Sequence, residues 1–277
     1  MPQSITTPVD QGRLFFYSEP EALFRVGPIE ASSEHADGEM LVGSWMRDRT
    51  GRASRGSLFV LVDDVFGVAA LVHRPAGRWA VTTELSLDFG TDAPLEARAV
   101  IASADLVTED AESGLGRGSV TDADGRLLAI GTARVRYSDQ LPAQIGDPKR
   151  MILPHFERES AGPDGPVEDL LGAIITEDGL ELPPSRFLAN SMGPMHGGVL
   201  ACASEFLAVT TARRTSEDFV TTSIHVAFVR PAGATESVTF TAVARHASRT
   251  LQVYEVTSRN AEGKACTIAT VTCQVAS

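Results

Sequence analysis

Cysteine is scarce in this sequence, and so are long hydrophobic runs. The three cysteines, Cys202, Cys266 and Cys273, lack CxxC spacing, which argues against a zinc site or a disulfide framework. No stretch approaches the roughly 18 apolar residues of a membrane-spanning helix, and the N-terminus lacks the basic and apolar regions of a secretory signal. We therefore expect core cysteines in a cytoplasmic protein without membrane insertion.

Positive charge is also in short supply. Lys and Arg together number 24 against 36 Asp and Glu, a formal net charge of −12. Non-specific binding of nucleic acid requires many Lys and Arg side chains to neutralise phosphates, so nucleic acid is not an expected partner. Hydrophobic residues make up 43% and charged residues 22%, the composition of a globular protein with ample core.

An internal repeat organises the 277 residues. Residues 42–70 resemble 184–212, residues 79–89 resemble 218–228, and residues 120–137 resemble 256–275. We align Arg55 with His196, which sets four further pairs: Gly56 with Gly197, Ser57 with Gly198, Asp64 with Glu205, and Arg49 with Asn190. Slow drift of the spacing along the chain is what changes in loop length produce, so we interpret the repeat as a tandem duplication.

Each half combines one apolar helix with alternating strands. The helix predicted to begin at Ser57 or Gly198 is apolar nearly all round, which is typical of a helix buried on most faces. Period-two segments such as TTELSLDF and TTSIHVAF predict antiparallel strands. The expected fold class is α+β, with a long central helix wrapped by an antiparallel sheet in each half. Expected domains are 1–140 and 169–277, joined by a Pro- and Gly-rich linker, 141–168, with an ordered piece at 151–156.

A glycine turn carries the most specific signal. The run from Asn190 to Gly198 reads NSMGPMHGG, and Glu205 follows nine positions after His196. It resembles the signature of the PaaI-like branch of the hotdog-fold acyl-CoA thioesterases, over about 40–137 and 170–275, with the second half the better match. The resemblance implies a double hotdog in which each site takes the turn from one half and the helix carboxylate from the other.

The resemblance implies one intact site. Glycines let a carbonyl approach the backbone, and the first N–H groups of a helix lack internal partners, so Gly197 or Gly198 is the expected oxyanion donor. The carboxylate acts as general base or attacks directly, and these alternatives stay open. The expected residues are Asp64, Thr82, Thr83, Asn190, His196, Gly197 and Gly198, with Asp63 in a solvated or packing role.

The reciprocal site departs from the family pattern. Arg55 replaces the histidine and Ser57 the second glycine, so we expect a site that is degenerate or has changed use, formed by Arg55, Gly56, Glu205 and Thr221 or Thr222. Asp64→Asn should then abolish CoA release while Glu205→Gln leaves most of it.

Substrate contacts are assigned more loosely. Arginines suit CoA phosphates, although surface solvation is the alternative, and Arg230, Arg245 and Arg249 are the candidates. Phe59, Phe66 and Phe206 are expected beside the acyl chain. No cofactor or metal is expected, because no His/Cys/carboxylate cluster has ligand spacing.

Two other functions are compatible with the fold that the resemblance implies. An acyl-thioester hydratase or dehydratase would use an Asp/His acid and base, but neither helix has a His after its carboxylate. A non-catalytic acyl-CoA binder would need no intact site. A homodimer formed through sheet faces is expected by analogy alone, and the acyl chain is left open.

Overall fold

The structure, a computed structural model, describes residues 19–33, 35–90, 97–140, 164–177 and 179–276. The predicted ordered piece at 151–156 lies outside the described residues, so the linker and the domain boundaries stay predictions. No helix in the described ranges is long and apolar enough to cross a membrane.

In the described part of the first half there are two α-helices and six strands. They are α1 (Glu19–Leu23), β1 (Glu30–Ala31), β2 (His35–Leu41), α2 (Phe59–Leu71), β3 (Trp79–Phe89), β4 (Ala99–Glu109), β5 (Ser113–Asp122) and β6 (Leu127–Ser138). A 3₁₀ helix, Arg55–Leu58, leads directly into α2.

The second half repeats this order. It contains α3 (Val167–Leu170), β7 (Ile174–Ile175), β8 (Leu180–Leu182), α4 (Gly197–Arg213), β9 (Phe219–Phe228), β10 (Val238–Ala247), β11 (Leu251–Arg259) and β12 (Ala265–Val275). The turns after β5 and β11 place Gly125 (φ 80°) and Gly263 (φ 75°) in the left-handed region, which glycine adopts without a steric penalty.

All twelve strands form one antiparallel sheet, in the order β1-β2-β4-β5-β6-β3-β9-β12-β11-β10-β8-β7. β3 and β9 join the two halves, with Ser86 opposite His225. The pairing is symmetric about this point, since Leu85 lies opposite Val226 and Leu87 opposite Ile224. An approximate two-fold axis therefore relates the halves, and the predicted double-hotdog α+β fold is confirmed.

The two long helices lie side by side in the core, where α2 packs against α4. Phe59 and Phe66 of α2 and Phe206 of α4 are almost completely buried. Burying a side chain of this size contributes about 1.5–3 kcal/mol, so the apolar surface of each helix holds it against the sheet. The acids within α2 need partners in this setting, because burying an unpaired charge is costly.

Candidate active site

The loop before α4 is a tight turn that ends in a helix cap. The Asn190 N–H donates to the Pro194 carbonyl (2.8 Å), the Asn190 Oδ1 accepts the Met192 N–H (2.9 Å), and Gly193 has φ 102°. Because Oδ1 is used within the turn, Asn190 shapes the loop and leaves its amide NH₂ for a ligand.

His196 is the N-cap of α4. Its Nδ1 accepts the Gly198 N–H (3.0 Å), which satisfies one of the donors that every helix start leaves without an internal partner. Its Nε2 lies 3.1 Å from Oδ1 of Asp64. With Nδ1 accepting, the ring proton sits on Nε2 and is donated to Asp64.

Asp63 points from α2 to the same helix start. Its Oδ2 accepts the Gly198 N–H (3.0 Å) and its Oδ1 accepts the hydroxyl of Thr82 on β3 (2.7 Å). The carboxylate is buried and fixed through both oxygens. The positive end of the α4 dipole stabilises a negative charge at this position.

Gly197 lies too close to Asp63 for any larger residue to fit without moving that side chain. A Cβ at this residue would lie 2.6 Å from Oδ2 of Asp63 and 3.3 Å from the Phe228 ring. Its N–H has no acceptor among the described residues, whereas the Gly198 N–H is already engaged. Of the two glycines, Gly197 is therefore the one whose N–H is unengaged, and it lines the cavity described below.

A second buried acid sits on the other side of His196. Oδ1 of Asp64 contacts Nε2, and Oδ2 of Asp64 is buried with no hydrogen-bond partner among the described residues. Glu21 of α1 approaches to 3.9 Å from the same nitrogen. Burial, the charge of Glu21 and the charge of Asp63 raise the pKa of Asp64 to about 7, against the pull of His196.

The same cluster of acids also raises the pKa of His196. Burial lowers the pKa of His196, but the charge and hydrogen bond of Asp64 and the charges of Asp63 and Glu21 outweigh it and raise the pKa to about 10. When Nδ1 also carries a proton it cannot accept the Gly198 N–H and instead faces Oδ2 of Asp63, 3.5 Å away, so the helix cap described above belongs to the neutral ring.

Glu21, Asp64 and His196 also form a candidate ligand set. One ligand atom of each lies within 4.8 Å of the others, and two carboxylates with one imidazole suit a divalent ion. An ion on Nε2 would displace the hydrogen bond to Asp64. The expectation of a metal-free, cofactor-free site stays a prediction.

A cavity of about 520 Å³ opens onto these groups. Its lining includes Asp63, Asp64, Thr82, His196 and Gly197. Beyond these residues the cavity wall has two parts. One is apolar, along α2 and β3: Val68, Leu71, Trp79, Ala80 and Val81. The other is formed by loops: Asn190, Ser191, Met192, Arg230 and Pro231. We call this the open site.

The reciprocal site, which we call the closed site, is filled by protein. Oε2 of Glu205 accepts the Gly56 N–H (3.0 Å) and Oε1 accepts the Thr221 hydroxyl (2.5 Å). The Arg55 guanidinium donates to the Thr221 carbonyl (2.6 Å) and lies 5.3 Å above the Phe89 ring. None of these residues lines the cavity of the open site.

Glu205 is only 1% exposed. Burial raises its pKa, although the Thr221 hydroxyl, the Arg213 charge and the Gly56 N–H oppose this effect. Arg55 and Thr221 are buried beside Glu205, so the groups of the closed site contact one another and not solvent.

These contacts correct the alignment of the halves by one residue around the helix. Gly56 and Gly198 both donate to the opposite acid, and the Ser54 and His196 N–H groups donate to equivalent carbonyls, of Met46 and Leu188. Ser54, not Arg55, therefore occupies the place of His196, and Arg55 that of Gly197.

The corrected alignment also changes which acids are equivalent in the two halves. Asp63, not Asp64, is equivalent to Glu205, and Asp48, not Arg49, is equivalent to Asn190, since both donate their N–H across the same turn. The prediction that Asp63 is a solvated or packing residue is wrong. Asp64 still belongs to the open site, but as the partner of His196.

The remaining predicted residues are less central. The hydroxyl of Thr83 donates to the Arg134 carbonyl and that of Thr222 to the Thr272 carbonyl. Among the arginines, only Arg230 lines the cavity, and it donates to the Ala265 carbonyl (2.5 Å). Arg245 pairs with Glu255 at the surface. Arg249 is exposed and outside the cavity, and the three predicted phenylalanines are core residues that do not line it.

Sequence reasoning missed Glu21. It lies in a five-residue helix far from the glycine turn in sequence, and no local pattern links the two. Asp63 could have been predicted from the sequence, because two adjacent acids in an apolar helix both need partners.

Two family models match parts of the chain, one in each half. A family model described as the acyl-CoA thioesterase C-terminal domain matches residues 2–134, and one described as the thioesterase superfamily matches residues 192–267. Neither description names the PaaI-like branch, which stays a prediction. A search of curated proteins finds no significant match.

Solved structures share the architecture over nearly the whole chain. A tesB protein of Mycobacterium avium subspecies paratuberculosis is 11% identical, with 94% of this chain and 98% of that chain covered and a TM-score of 0.61. A putative thioesterase from Novosphingobium aromaticivorans is 15% identical, with 90% and 98% covered and a TM-score of 0.60. At these identities the likeness shows the double-hotdog fold alone.

Proposed function

The chain belongs to the hotdog-fold thioesterase superfamily, and from this premise we propose that its open site hydrolyses an acyl-CoA thioester with Asp63 as the reactive carboxylate. The products are a carboxylic acid and CoA. Thioester hydrolysis is the activity named by both matching family models, an acyl-CoA thioesterase domain in the first half and the thioesterase superfamily in the second.

One observation carries the assignment to this site. A carboxylate, fixed by Thr82 and by the Gly198 N–H, lies beside the unengaged N–H of Gly197, and a cavity opens onto both. Ester-type hydrolysis needs a base and an oxyanion donor on one reacting carbonyl.

The reaction follows from this placement. Asp63 takes a proton from water as the water oxygen bonds to the carbonyl carbon, and the carbonyl oxygen becomes an oxyanion that accepts the Gly197 N–H. Collapse of this intermediate breaks the C–S bond. The CoA sulfur then receives the proton held by Asp63, so the carboxylate is regenerated.

Direct attack by Asp63 is the alternative route, through an anhydride that water then hydrolyses. Label in the Asp63 carboxyl after a single turnover in ¹⁸O-labelled water identifies the anhydride route. General-base attack leaves the Asp63 carboxyl unlabelled, whereas hydrolysis of the anhydride at the Asp63 carbonyl labels it.

His196 and Asp64 support the turn. His196 caps α4 beside Gly197, and Asp64 keeps the imidazole in place. The loop environment at Asn190 and Arg230 suits the polar CoA moiety.

The test is CoA release from a panel of acyl-CoAs, followed with a chromogenic thiol reagent. Asp63→Asn should lower kcat by about 10³-fold or more, since it removes the base. Glu205→Gln is the matched control, because it changes the equivalent carboxylate in the closed site, and it should retain most of the activity. Equal losses in both variants would show that the wrong site is assigned. Binding of acyl-CoA without CoA release by the wild type would favour a non-catalytic binder.

A hydratase or dehydratase is the second candidate, and the contact between Asp64 and His196 is the observation that favours it. A carboxylate and an imidazole 3.1 Å apart on opposite halves provide an acid and a base for adding water across a double bond. Incubation with an enoyl-CoA separates the two functions: loss of the conjugated double bond without thiol release would identify the hydratase.

The setting of the enzyme is also a proposal. Three free, buried cysteines suit a reducing cytoplasm. A homodimer formed through sheet faces remains an expectation, which size-exclusion chromatography with light scattering would test.

A further inference from the structure

Gly67 of α2 lacks the usual structural reasons for a glycine. Glycine in a helix interior destabilises the fold relative to alanine, so it needs a reason to be there. A Cβ at Gly67 would meet only the Thr82 hydroxyl, at 3.7 Å, which is ordinary contact. Positive φ does not explain it either, since Gly67 is not among the residues with that conformation.

The position of Gly67 is special in another way. It follows Asp63 by one helical turn, on the same face, and it lines the cavity. The Thr82 hydroxyl, its nearest contact, is the group that holds Asp63. The missing side chain therefore leaves space directly beside the reactive carboxylate.

The closed site shows what fills this space when no substrate does. With Asp63 equivalent to Glu205, the residue equivalent to Gly67 is Val209, which is 1% exposed. The same correspondence puts Arg55 in the place of Gly197. Two side chains of the closed site thus stand where the open site has glycines.

We propose that Gly67 is the specificity-determining residue of the open site: it leaves the passage through which an apolar acyl chain runs along α2, from Asp63 toward Leu71 and Trp79. This inference rests on the proposed thioesterase function. Leu71 lies eight residues after Asp63, about 12 Å along the helix, and Val68, Leu71 and Trp79 give this stretch an apolar wall. The substrate class is a fatty acyl-CoA of medium length.

The test compares the wild type with Gly67→Ala and Gly67→Val on acetyl-, butyryl- and octanoyl-CoA. Gly67→Ala should raise the melting temperature by about 2 °C and still lower kcat/KM for octanoyl-CoA by about tenfold, the effect of one methyl group in a fitted pocket. Gly67→Val should lower kcat/KM for octanoyl-CoA further. Acetyl-CoA should lose far less, because its chain ends before this passage.

A control variant separates helix stability from cavity space. Thr210→Ala raises helix propensity in α4 at a residue that does not line the cavity, and it should leave the chain-length profile unchanged. An equal loss for all three substrates in Gly67→Val would overturn the proposal, because it would place Gly67 in catalysis or packing and not in acyl selection.

A binding measurement keeps the inference testable if the wild type hydrolyses nothing. Calorimetry with thioether analogues of octanoyl-CoA and acetyl-CoA should show about tenfold weaker binding of the octyl analogue to Gly67→Ala than to the wild type, with the shorter analogue little changed. Unchanged affinity for the octyl analogue in Gly67→Val would refute the passage, whatever the outcome for hydrolysis.

Discussion

At the scale of single residues, two adjacent acids divide the work of the open site. Neighbours on a helix do not face the same direction, so Asp63 reaches Thr82 and the start of α4 while Asp64 reaches the far side of the His196 ring. In the proposed reaction, Asp63 is the acid beside the reacting carbonyl. Asp64 then acts through the histidine, as a positioning residue.

The variant Asp64→Asn should therefore lower the pKa of His196 from about 10 toward neutrality, since the charge and hydrogen bond of Asp64 are the largest contributions that raise it. NMR titration of the imidazole measures this shift. We expect kcat to fall by about tenfold, far less than in Asp63→Asn. The size of this fall should depend on pH, because the His196 ring then titrates near neutrality. Loss as complete as in Asp63→Asn, with the pKa unmoved, would make Asp64 the base.

Stability should depend on pH through the same pair. The folded-state pKa of His196, about 10, exceeds its ordinary value of 6.5, so its stabilising effect is complete below pH 6.5 and is lost as the pH rises toward 10. The raised pKa of Asp64, about 7 against 3.8, makes stability fall in the same direction between pH 4 and 7.

Urea unfolding at a series of pH values measures this dependence. His196→Gln should flatten the fall in the free energy of unfolding between pH 7 and 10. A slope in that range equal to that of the wild type would show that His196 does not carry it.

At the scale of elements, the sequence predicted the strands and helices well and the register at the helix start less well. Period-two segments became β3 and β9, and their pairing through Ser86 and His225 follows the predicted repeat. The helix start was ambiguous for a physical reason. One glycine, Gly56, could stand opposite Gly197 or Gly198, and the adjacent acids Asp63 and Asp64 offered a carboxylate in either register.

Only contacts across the halves resolve that ambiguity, since the Gly56 N–H bonds to Glu205 and the Gly198 N–H to Asp63. The same limit applies to Glu21, because α1 meets His196 only in the folded chain. The open cavity was likewise beyond sequence reasoning, as its shape depends on side-chain packing.

The two glycines at the start of α4 should respond differently to alanine. In Gly197→Ala the new Cβ meets the end of the Asp63 side chain at 2.6 Å, which can turn away. We expect a folded protein with kcat lowered by about 10²-fold or more, since carboxylate and oxyanion donor are both disturbed.

In Gly198→Ala the Cβ meets main-chain atoms of Phe59 and Val60 at 2.5 and 2.6 Å. Those atoms belong to the partner helix and cannot move alone, so overpacking should destabilise the protein by about 1–3 kcal/mol. Thermal melting beside a thiol-release assay separates the two effects. A stable Gly198→Ala variant would mean that α2 and α4 separate easily.

At the scale of the whole molecule, duplication has produced a symmetric frame with asymmetric sites. The sheet pairing is nearly two-fold, and both acids accept a glycine N–H and a threonine hydroxyl. The differences lie in the side chains that occupy the equivalent spaces. Arg55, in the place of Gly197, is bound to the Thr221 carbonyl and lies against Phe89, whereas Gly197 and Asp63 both line the open cavity.

Binding stoichiometry should report this asymmetry directly. Calorimetric titration with a thioether analogue of an acyl-CoA should give one equivalent per chain, because the Arg55 guanidinium fills the closed site and is held by the Thr221 carbonyl and the Phe89 ring. Asp63→Asn removes charge but no volume, so it should keep the same stoichiometry. Arg55→Gly with Val209→Gly removes both filling side chains and should admit a second, weaker equivalent, with a lower melting temperature from the cavity left behind. Two equivalents in the wild type would mean that the closed site opens in solution, and the single-site account would fail.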